Sequence, residues 1–298
     1  MVITNTTGLP EAIVRAVTND PYPSLSERTW DISVTELISP PQQAALKRRH
    51  ADDLTEDASD RIWALFGQSI HTILERAEPT AIVETRLQAE MGGWKVSGQV
   101  DHLSLMKSGG WCITDYKTTS SWSVLNGAKV EWETQLNVLR VLAEANGYLV
   151  SRLRIVALLR DWSKGQAKQG GNYPQSPVVT LEIPIWEGAV EWIETRVKEH
   201  QAARLAVKNG NDLAPCTPEE RWERPTVYAV KKPVRKSAVR LYAALEDAQA
   251  HADREKGHFV ETRPGEAVRC AGYCPVAHLC AQRQAELVLT EDEILEAA

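Results

Sequence analysis

The sequence has no run of about 20 uninterrupted apolar residues, so no segment of it is expected to span a membrane. Residues 1–10 lack the basic start and the apolar run of a signal peptide. These absences predict a cytoplasmic protein, in whose reducing surroundings cysteine thiols stay free or bind metal. The phosphate-loop pattern G-x-x-x-x-G-K-S/T is also missing, which excludes an ATP-driven motor of that type.

Basic residues are not in excess either. Lys and Arg total 34 against 40 Asp and Glu, and the net charge of −6 argues against indiscriminate binding of phosphate groups. Any contact with nucleic acid then needs a local basic surface. One run offers such a surface, because five cations fall within ten residues and no acid interrupts them: Lys231, Lys232, Arg235, Lys236 and Arg240. A solvated pair of strands explains this run as well as phosphate contact does.

The spacing of apolar residues predicts an α/β core. Helices are predicted over 56–76, 131–146, 186–208 and 243–256, with a short amphipathic stretch near 33–38. Strands are predicted over 81–90, 94–105, 111–118, 153–160 and 178–185, the first three separated by glycine-containing turns. We expect three parts, namely an N-terminal segment packed on the core (1–55), the core itself (56–210) and a C-terminal module (211–298).

The third predicted strand carries an acid and a lysine on one face. Successive side chains of a strand alternate between its faces, so Asp115 and Lys117 point the same way, about 6.6–6.8 Å apart. The preceding strand carries Asp101, and an antiparallel turn through 107–110 would bring Asp101 beside Asp115. Two carboxylates so close repel each other unless a divalent cation lies between them, and such hard oxygen ligands suit Mg²⁺ or Mn²⁺.

Two further residues complete a candidate metal-dependent site. On the helix over 56–76, His71 leans over the turn that contains Gly67, where no side chain fills the space, so the imidazole can reach a metal. Gln135 lies near the start of the helix after the strands, where its amide could contact a phosphate or an attacking water. Each residue alone is more often structural, and the prediction rests on their joint order and spacing. Such a site could hydrolyse phosphodiester bonds, with Lys117 orienting or deprotonating the attacking water.

These motifs, in this order, resemble those of RecB-type nucleases of the PD-(D/E)XK superfamily. The resemblance covers roughly residues 60–160 and rests on Gly67 to His71, Gly98 to Asp101, Asp115-Tyr116-Lys117 and Gln135, with a weaker match at Ser33-Val34-Thr35. It implies a restriction-endonuclease-like core, that is, a central mixed sheet flanked by helices. It also implies metal ligands and catalytic residues: His71, Asp101, Asp115 and the Tyr116 carbonyl for the metal, and Lys117, Asp115, Asp101 and Gln135 for catalysis. Glu84 is either a further acidic neighbour or a structural residue, and Leu139 stands where the family has a tyrosine.

Four of the five cysteines lie in the C-terminal part, as Cys216 followed by Cys270, Cys274 and Cys280. Four thiolates suit tetrahedral zinc or an iron–sulfur cluster. The C-x3-C-x5-C trio resembles the iron–sulfur staple of certain RecB-type nucleases, which favours a 4Fe-4S cluster over Zn²⁺, with free or disulfide-bonded cysteines as the third alternative. In those nucleases the first cysteine generally precedes the nuclease motifs, whereas Cys216 follows them. Cys112 is expected in the core.

The resemblance implies a metal-dependent deoxyribonuclease that acts on DNA ends or single strands, more as an exonuclease than as an endonuclease. Because the chain has no motor of its own, it would depend on a separate helicase or a single-strand annealing protein. The segment Arg160-Asp161-Trp162 is similar to nucleases encoded by bacteriophages and prophages, which implies a role in recombination, repair or processing of phage DNA. Two alternatives are a catalytically inactive nucleic-acid-binding protein of the same fold and a zinc-stapled interaction protein.

Overall fold

The structure is a computed structural model that describes residues 2–19, 27–77 and 81–287. Residues 288–298 of the expected C-terminal module therefore lie outside the described residues. The strands are β1 (Val2–Thr4), β2 (Ile32–Ser33), β3 (Thr55–Asp57), β4 (Ile82–Met91), β5 (Trp94–Leu105), β6 (Trp111–Thr119), β7 (Val150–Leu159), β8 (Val178–Ile183), β9 (Glu223–Arg224), β10 (Val227–Lys231), β11 (Arg240–Tyr242), β12 (Phe259–Arg263) and β13 (Glu266–Ala267).

Helices occur between these strands along the whole described chain. They are α1 (Glu11–Thr18), α2 (Val34–Leu37), α3 (Pro41–Arg49), α4 (Ile62–Ala77), α5 (Val130–Ala145), α6 (Lys164–Lys168), α7 (Ala189–Asn209), α8 (Leu245–Arg254) and α9 (Val268–Gly272), with 3₁₀ turns at Ala58–Arg61, Ser121–Val124 and Ala277–Leu279. No helix among the described residues is both long and apolar enough to cross a membrane.

The central sheet is mixed, as the family resemblance implies. Its strand order is β2-β5-β6-β7-β8, and β4 pairs with the other edge of β5. The pairs β4–β5, β5–β6 and β7–β8 are antiparallel, whereas β2–β5 and β6–β7 are parallel. Helices α5 and α7 pack on this sheet, and the largest core cluster joins their apolar residues to Ile113 and Ile155 of the strands. The fold is therefore the mixed α/β core of a central sheet flanked by helices.

Gly98 allows α5 to lie close against the sheet. A Cβ atom at this position would lie 2.5 Å from Leu139 of α5 and 2.7 Å from Val34 of α2, far inside the usual contact distance of about 3.5–4.0 Å. Leu139 is buried, so it cannot swing into solvent. The glycine of the Gly-x-x-Asp motif thus has a packing role, since it sets the distance between β5 and the helix that carries Gln135.

Two predicted helix starts are wrong. The helix predicted over 56–76 begins at Ile62, because residues 55–57 extend as β3 alongside β1 and the Asp57 carboxylate accepts hydrogen bonds from the backbone N–H groups of Ser59 (3.0 Å) and Thr6 (2.6 Å). The helix predicted over 186–208 begins at Ala189, because Gly188 is its N-cap residue and the Gly188 carbonyl accepts the first helical hydrogen bond, from the Trp192 N–H (3.0 Å).

The terminal parts of the chain pack on the core and on each other. Strand β2, from the expected N-terminal segment, joins the central sheet. Helix α3, which the sequence pattern does not predict, contributes Leu46 to a small apolar cluster with Val276 and Cys280. A separate three-stranded sheet, β11-β10-β12, packs on α8. The division at residues 55 and 210 stays a prediction.

Candidate active site

Strand β6 carries the candidate catalytic lysine between two oxygen-bearing side chains. The ammonium of Lys117 lies 3.0 Å and 2.8 Å from the two carboxylate oxygens of Asp115, which is almost fully buried. It also donates to the Gln135 side-chain oxygen, at 3.1 Å, across from α5. The strand alternation that places Asp115 and Lys117 on one face is thus present, and α5 supplies Gln135 from the opposite side.

Asp101 reaches the same place from β5. The two strands run antiparallel with His102 opposite Thr114, and the Tyr116 backbone N–H donates to the Asp101 carboxylate at 2.8 Å. The pKa of Asp101 is raised to about 7, mainly by burial and secondly by the negative charge of Asp115. The β5–β6 pair therefore brings the carboxylates of Asp101 and Asp115 close to each other, as expected, and the two negative charges repel each other.

Glu84 is the acidic neighbour that the sequence leaves undecided between a functional and a structural role. Its backbone has φ of +46°, in a region that side-chain-bearing residues rarely adopt at a cost of roughly 1–3 kcal/mol. The β4–β5 pairing is interrupted there, with Val83 opposite His102 and Thr85 opposite Val100. The register hence places Glu84 across from Asp101. Burial raises the pKa of the Glu84 carboxyl, but hydrogen bonds from His71 and Gln99 outweigh this and hold it below its usual value.

His71 faces these acids from α4. Its Nδ1 lies 3.1 Å from a Glu84 carboxylate oxygen and 3.7 Å from an Asp101 carboxylate oxygen. Its Nε2 lies 3.1 Å from the Tyr116 carbonyl oxygen. The hydrogen bond to Glu84 raises the pKa of His71 to about 9, with further contributions from the charges of Asp101 and Asp115. A protonated His71 ring donates from both nitrogens, to Glu84 and to the Tyr116 carbonyl, and would have to lose one of these protons to bind a metal ion.

The residues present fit a divalent cation. One ligand atom from each of His71, Glu84 and Asp101 lies within 4.8 Å of the other two. Asp115 adds a buried oxygen that receives no well-aligned hydrogen bond from the described residues, although Lys117 lies beside it. A donor set of one imidazole and several carboxylates suits Mg²⁺ and, because imidazole is the softer ligand, Mn²⁺ still better.

The predicted ligand set differs from this group in one residue. The structure brings together His71, Asp101 and the Tyr116 carbonyl as expected, but the third grouped ligand is Glu84, and Asp115 is engaged by Lys117. The sequence signal that points to Glu84 is the turn at Gly92-Gly93, because a hairpin closed there sets Glu84 of β4 opposite Asp101 of β5.

The four cysteines of the C-terminal part line one narrow cavity with Gln42 of α3. The Cys216 thiol donates to the Gln42 side-chain oxygen at 3.1 Å, and the Cys280 sulfur lies 3.7 Å from the same oxygen. None of the cysteines forms a disulfide. The pKa of Cys216 is raised to about 12, mainly by burial and secondly by nearby negative charge. All four thiols thus converge, including Cys216, although 54–64 residues separate it from the other three along the chain.

The basic run lies on the β10–β11 hairpin and its turn. These two strands pair antiparallel, which matches the strand-pair interpretation of the run. Lys231 forms an ion pair with Glu261 at 2.8 Å, and the Arg240 guanidinium lies over the Tyr242 ring at 5.1 Å. Arg235 donates to the Ser237 hydroxyl at 2.9 Å, and Lys232 and Lys236 are exposed. Contact of this hairpin with nucleic acid stays a prediction.

A mixed sheet that presents two acids and a lysine on adjacent antiparallel strands is the arrangement expected of a metal-dependent nuclease core. Residues 25–281 match the sequence model described as the PD-(D/E)XK nuclease superfamily. The match spans most of the chain, and the protein therefore belongs to the PD-(D/E)XK nuclease superfamily.

Two solved structures are distantly similar to the chain. One is a protein described as SSO0001, with 17% sequence identity and a TM-score of 0.45 over 63% of this chain and 84% of that one. The other, from Eubacterium rectale, is described as "Putative exonuclease", with 16% identity and a TM-score of 0.30 over 63% of this chain and 70% of that one. Both likenesses are too low to support an argument about activity. No curated protein matches the chain.

Proposed function

We propose that the protein is a divalent-metal-dependent deoxyribonuclease that hydrolyses phosphodiester bonds, working as an exonuclease. The position of Lys117 is the main support for this proposal. Its ammonium is held between Asp115 and Gln135 at 2.8–3.1 Å, beside the group of His71, Glu84 and Asp101. A nuclease of this superfamily needs both a lysine and an acidic metal site at one place, and these residues supply them.

His71, Glu84 and Asp101 would hold Mg²⁺ or Mn²⁺, with Asp115 and the Tyr116 carbonyl adjacent. A bound divalent ion lowers the pKa of water and offsets charge on a phosphate. The contribution of Lys117 comes from its fixed position. Because Asp115 and Gln135 hold its amine, it can orient the attacking water and offset charge that develops on the phosphoryl oxygens without first having to be ordered. The Gln135 amide is placed to donate a hydrogen bond to a phosphate oxygen from the side of α5.

The proposed biological setting rests on the resemblance of the sequence motifs. We place the protein among RecB-type nucleases that act on DNA ends or single strands in a bacterial cytoplasm, in the recombination, repair or processing of phage DNA. The sequence has no phosphate-loop motor. A separate helicase or single-strand annealing protein is therefore the partner that would supply its substrate.

Digestion of DNA tests the enzymatic proposal. Linear single-stranded DNA and plasmid DNA are incubated with Mn²⁺ and with wild type, Lys117→Ala or Lys107→Ala, whose lysine is exposed on the turn between β5 and β6. Wild type and Lys107→Ala are expected to release nucleotides from the linear strand, with Lys117→Ala slower by about 100-fold or more. Equal digestion by all three proteins, or none by any of them, would reject the proposal.

We also propose that Cys216, Cys270, Cys274 and Cys280 hold a 4Fe-4S cluster, with Zn²⁺ as the alternative ligand. A zinc ion binds sulfur at about 2.3 Å, so four zinc-bound sulfurs lie within about 4 Å of one another. Among the cysteines, all of which the structure describes, no three Sγ atoms lie within 4.8 Å of one another. The proposal of a cluster therefore rests on the resemblance of the C-x3-C-x5-C trio and on the cavity that all four cysteines line.

Spectroscopy and elemental analysis of anaerobically purified protein distinguish these metals. Broad absorbance that extends into the visible range, together with bound iron, is expected for wild type and for Cys112→Ser, whose cysteine lies in the core away from the cavity. Cys270→Ser is expected to lose both signals. Stoichiometric zinc without visible absorbance would establish the alternative, and four reactive thiols without metal would reject both.

A further inference from the structure

A groove of about 900 Å³ lies between α5 and the C-terminal residues of the chain. Aromatic side chains line it from both sides, namely Trp122, Trp186, Trp192, Trp222 and Tyr273. Trp122 and Tyr273 are 70% and 67% exposed, which is unusual for rings of this size, and Trp222 is 38% exposed. Exposed rings that line a groove offer flat apolar faces to a ligand that has flat faces of its own.

Trp222 is held in a fixed orientation. Its indole N–H donates to the Glu131 carboxylate of α5 at 2.7 Å, and the Arg269 guanidinium lies 4.1 Å from its ring centre. The Tyr273 ring meets it at 5.4 Å with an interplanar angle of 66°. The backbone of Trp222 has φ of +52°, outside the range that such residues normally adopt. Several contacts therefore place this ring at the groove, and little side-chain freedom would be lost when a ligand stacks on it.

The groove lies beside the candidate active site along α5, since Thr134, the residue before Gln135, lines it. Glu131, which holds Trp222, and Gln135, which holds Lys117, are four residues apart on this helix, so they share a face and lie one turn apart. From the side of the sheet, Trp122 follows β6 only five residues after Lys117. A polymer that lies along the aromatic rings would thus pass the lysine.

The charged residues that line the groove are four cations and three acids, a slightly positive balance: Lys129, Arg196, Arg224 and Arg269 against Glu131, Glu219 and Glu220. Glu131 forms an ion pair with Arg269 at 3.4 Å, and Glu220 is bound to Arg196. Lys129 and Arg224 are exposed, and within the part of the chain that the structure describes neither has an acid within ion-pair distance. These two cations are available to phosphate groups in a chain whose overall charge is negative.

We propose that this groove binds single-stranded nucleic acid, with bases stacked on Trp122, Trp222 and Tyr273 and with Lys129 and Arg224 on the backbone phosphates. The inference rests on the proposed nuclease function and names its substrate form. Single strands fit because their base faces are free, whereas in a duplex each base is already stacked between its neighbours. The groove selects for unpaired DNA next to the cleavage site.

Binding of a labelled oligothymidylate of about 20 nucleotides tests the proposal, with fluorescence anisotropy as the readout and no added divalent metal. Trp122→Ala and Tyr273→Ala are each expected to raise the Kd for the single strand roughly tenfold. Trp122→Phe keeps an aromatic face and is expected to stay near wild type, whereas Trp122→Leu keeps apolar character alone and is expected to bind as weakly as Trp122→Ala. Leu149→Ala removes an equally exposed apolar side chain just before β7 and serves as the control.

The outcomes separate this inference from the proposed function. Unchanged Kd values in the Trp122 and Tyr273 variants would overturn the groove as the binding site, even if digestion still depends on Lys117. Self-association of the protein that Trp122→Ala abolishes, without a change in oligonucleotide affinity, would also overturn it, because a second copy would then be the occupant. Tight binding that depends on Trp122, together with Lys117-independent digestion, would support the groove and reject the enzymatic proposal.

Discussion

Gly98→Ala is expected to weaken both the fold and the site. The added methyl group would lie 2.5 Å from Leu139, 2.7 Å from Val34 and 3.2 Å from Leu142, and all three side chains are buried. Restoring normal contacts of about 3.5–4.0 Å requires a shift of about 1 Å between β5 and α5. Overpacking of this kind typically costs about 1–3 kcal/mol of unfolding free energy. Since α5 carries Gln135, the same shift would lengthen its 3.1 Å hydrogen bond to Lys117.

Thermal and chemical unfolding of Gly98→Ala, compared with Gly67→Ala, measures this effect. Gly67 lies in α4 with no atom within 4 Å of an added Cβ and with an ordinary helical backbone, so alanine there is expected to leave stability unchanged or raise it by up to about 1 kcal/mol. Gly98→Ala is expected to melt a few degrees lower and to digest DNA more slowly than its loss of stability explains. A Gly98→Ala protein that melts like wild type would refute the packing argument.

Three further predictions concern pH, metal and salt. Burial lowers the pKa of His200 from 6.5 to about 4. Between these pH values the unfolded chain binds a proton that the folded chain does not. The free energy of unfolding is therefore expected to fall by about 3 kcal/mol as the pH decreases from 6.5 to 4. Denaturant titrations at both ends of the window should show this fall to be smaller in His200→Gln, and an equal fall in both proteins would contradict it. Glu84→Ala is expected to weaken Mn²⁺ binding, measured by calorimetry, about tenfold or more. Glu90 is exposed on the same strand, and Glu90→Ala should bind Mn²⁺ as wild type does. Equal Mn²⁺ affinities of Glu84→Ala and wild type would show that Glu84 is not a ligand. Replacing Arg235 and Lys236 by Ala is expected to reduce the slope of log affinity for DNA against log salt by about 2, and an unchanged slope would exclude the β10–β11 hairpin from phosphate contact.

The central strands and the lysine site are predictable from the sequence because they depend on local rules. Alternation along β6 places Asp115 and Lys117 on one face, and the turn at Gly109-Gly110 sets β5 antiparallel to β6, which brings Asp101 into reach. Apolar spacing likewise predicts α5, which supplies Gln135. These features need only the period of the element and the position of the turn.

Other features depend on long-range contacts that no local pattern encodes. The left-handed backbone of Glu84 is imposed by its neighbours and not by its residue type, which ordinarily avoids that conformation. The late start of the helix predicted from residue 56 reflects hydrogen bonds between Asp57 and Thr6, 51 residues away. The contact of Cys216 with Gln42 spans 174 residues. In each case tertiary structure overrides the local preference.

The catalytic role of Lys117 is tested most directly by a comparison of wild type with Lys117→Met, which keeps much of the length of the side chain and removes its charge. Both proteins are incubated with an end-labelled single strand and Mn²⁺, and the rate of nucleotide release is measured. We expect stepwise release by wild type and a rate at least about 100-fold lower for Lys117→Met, with Mn²⁺ binding retained. Equal rates for the two proteins would contradict it.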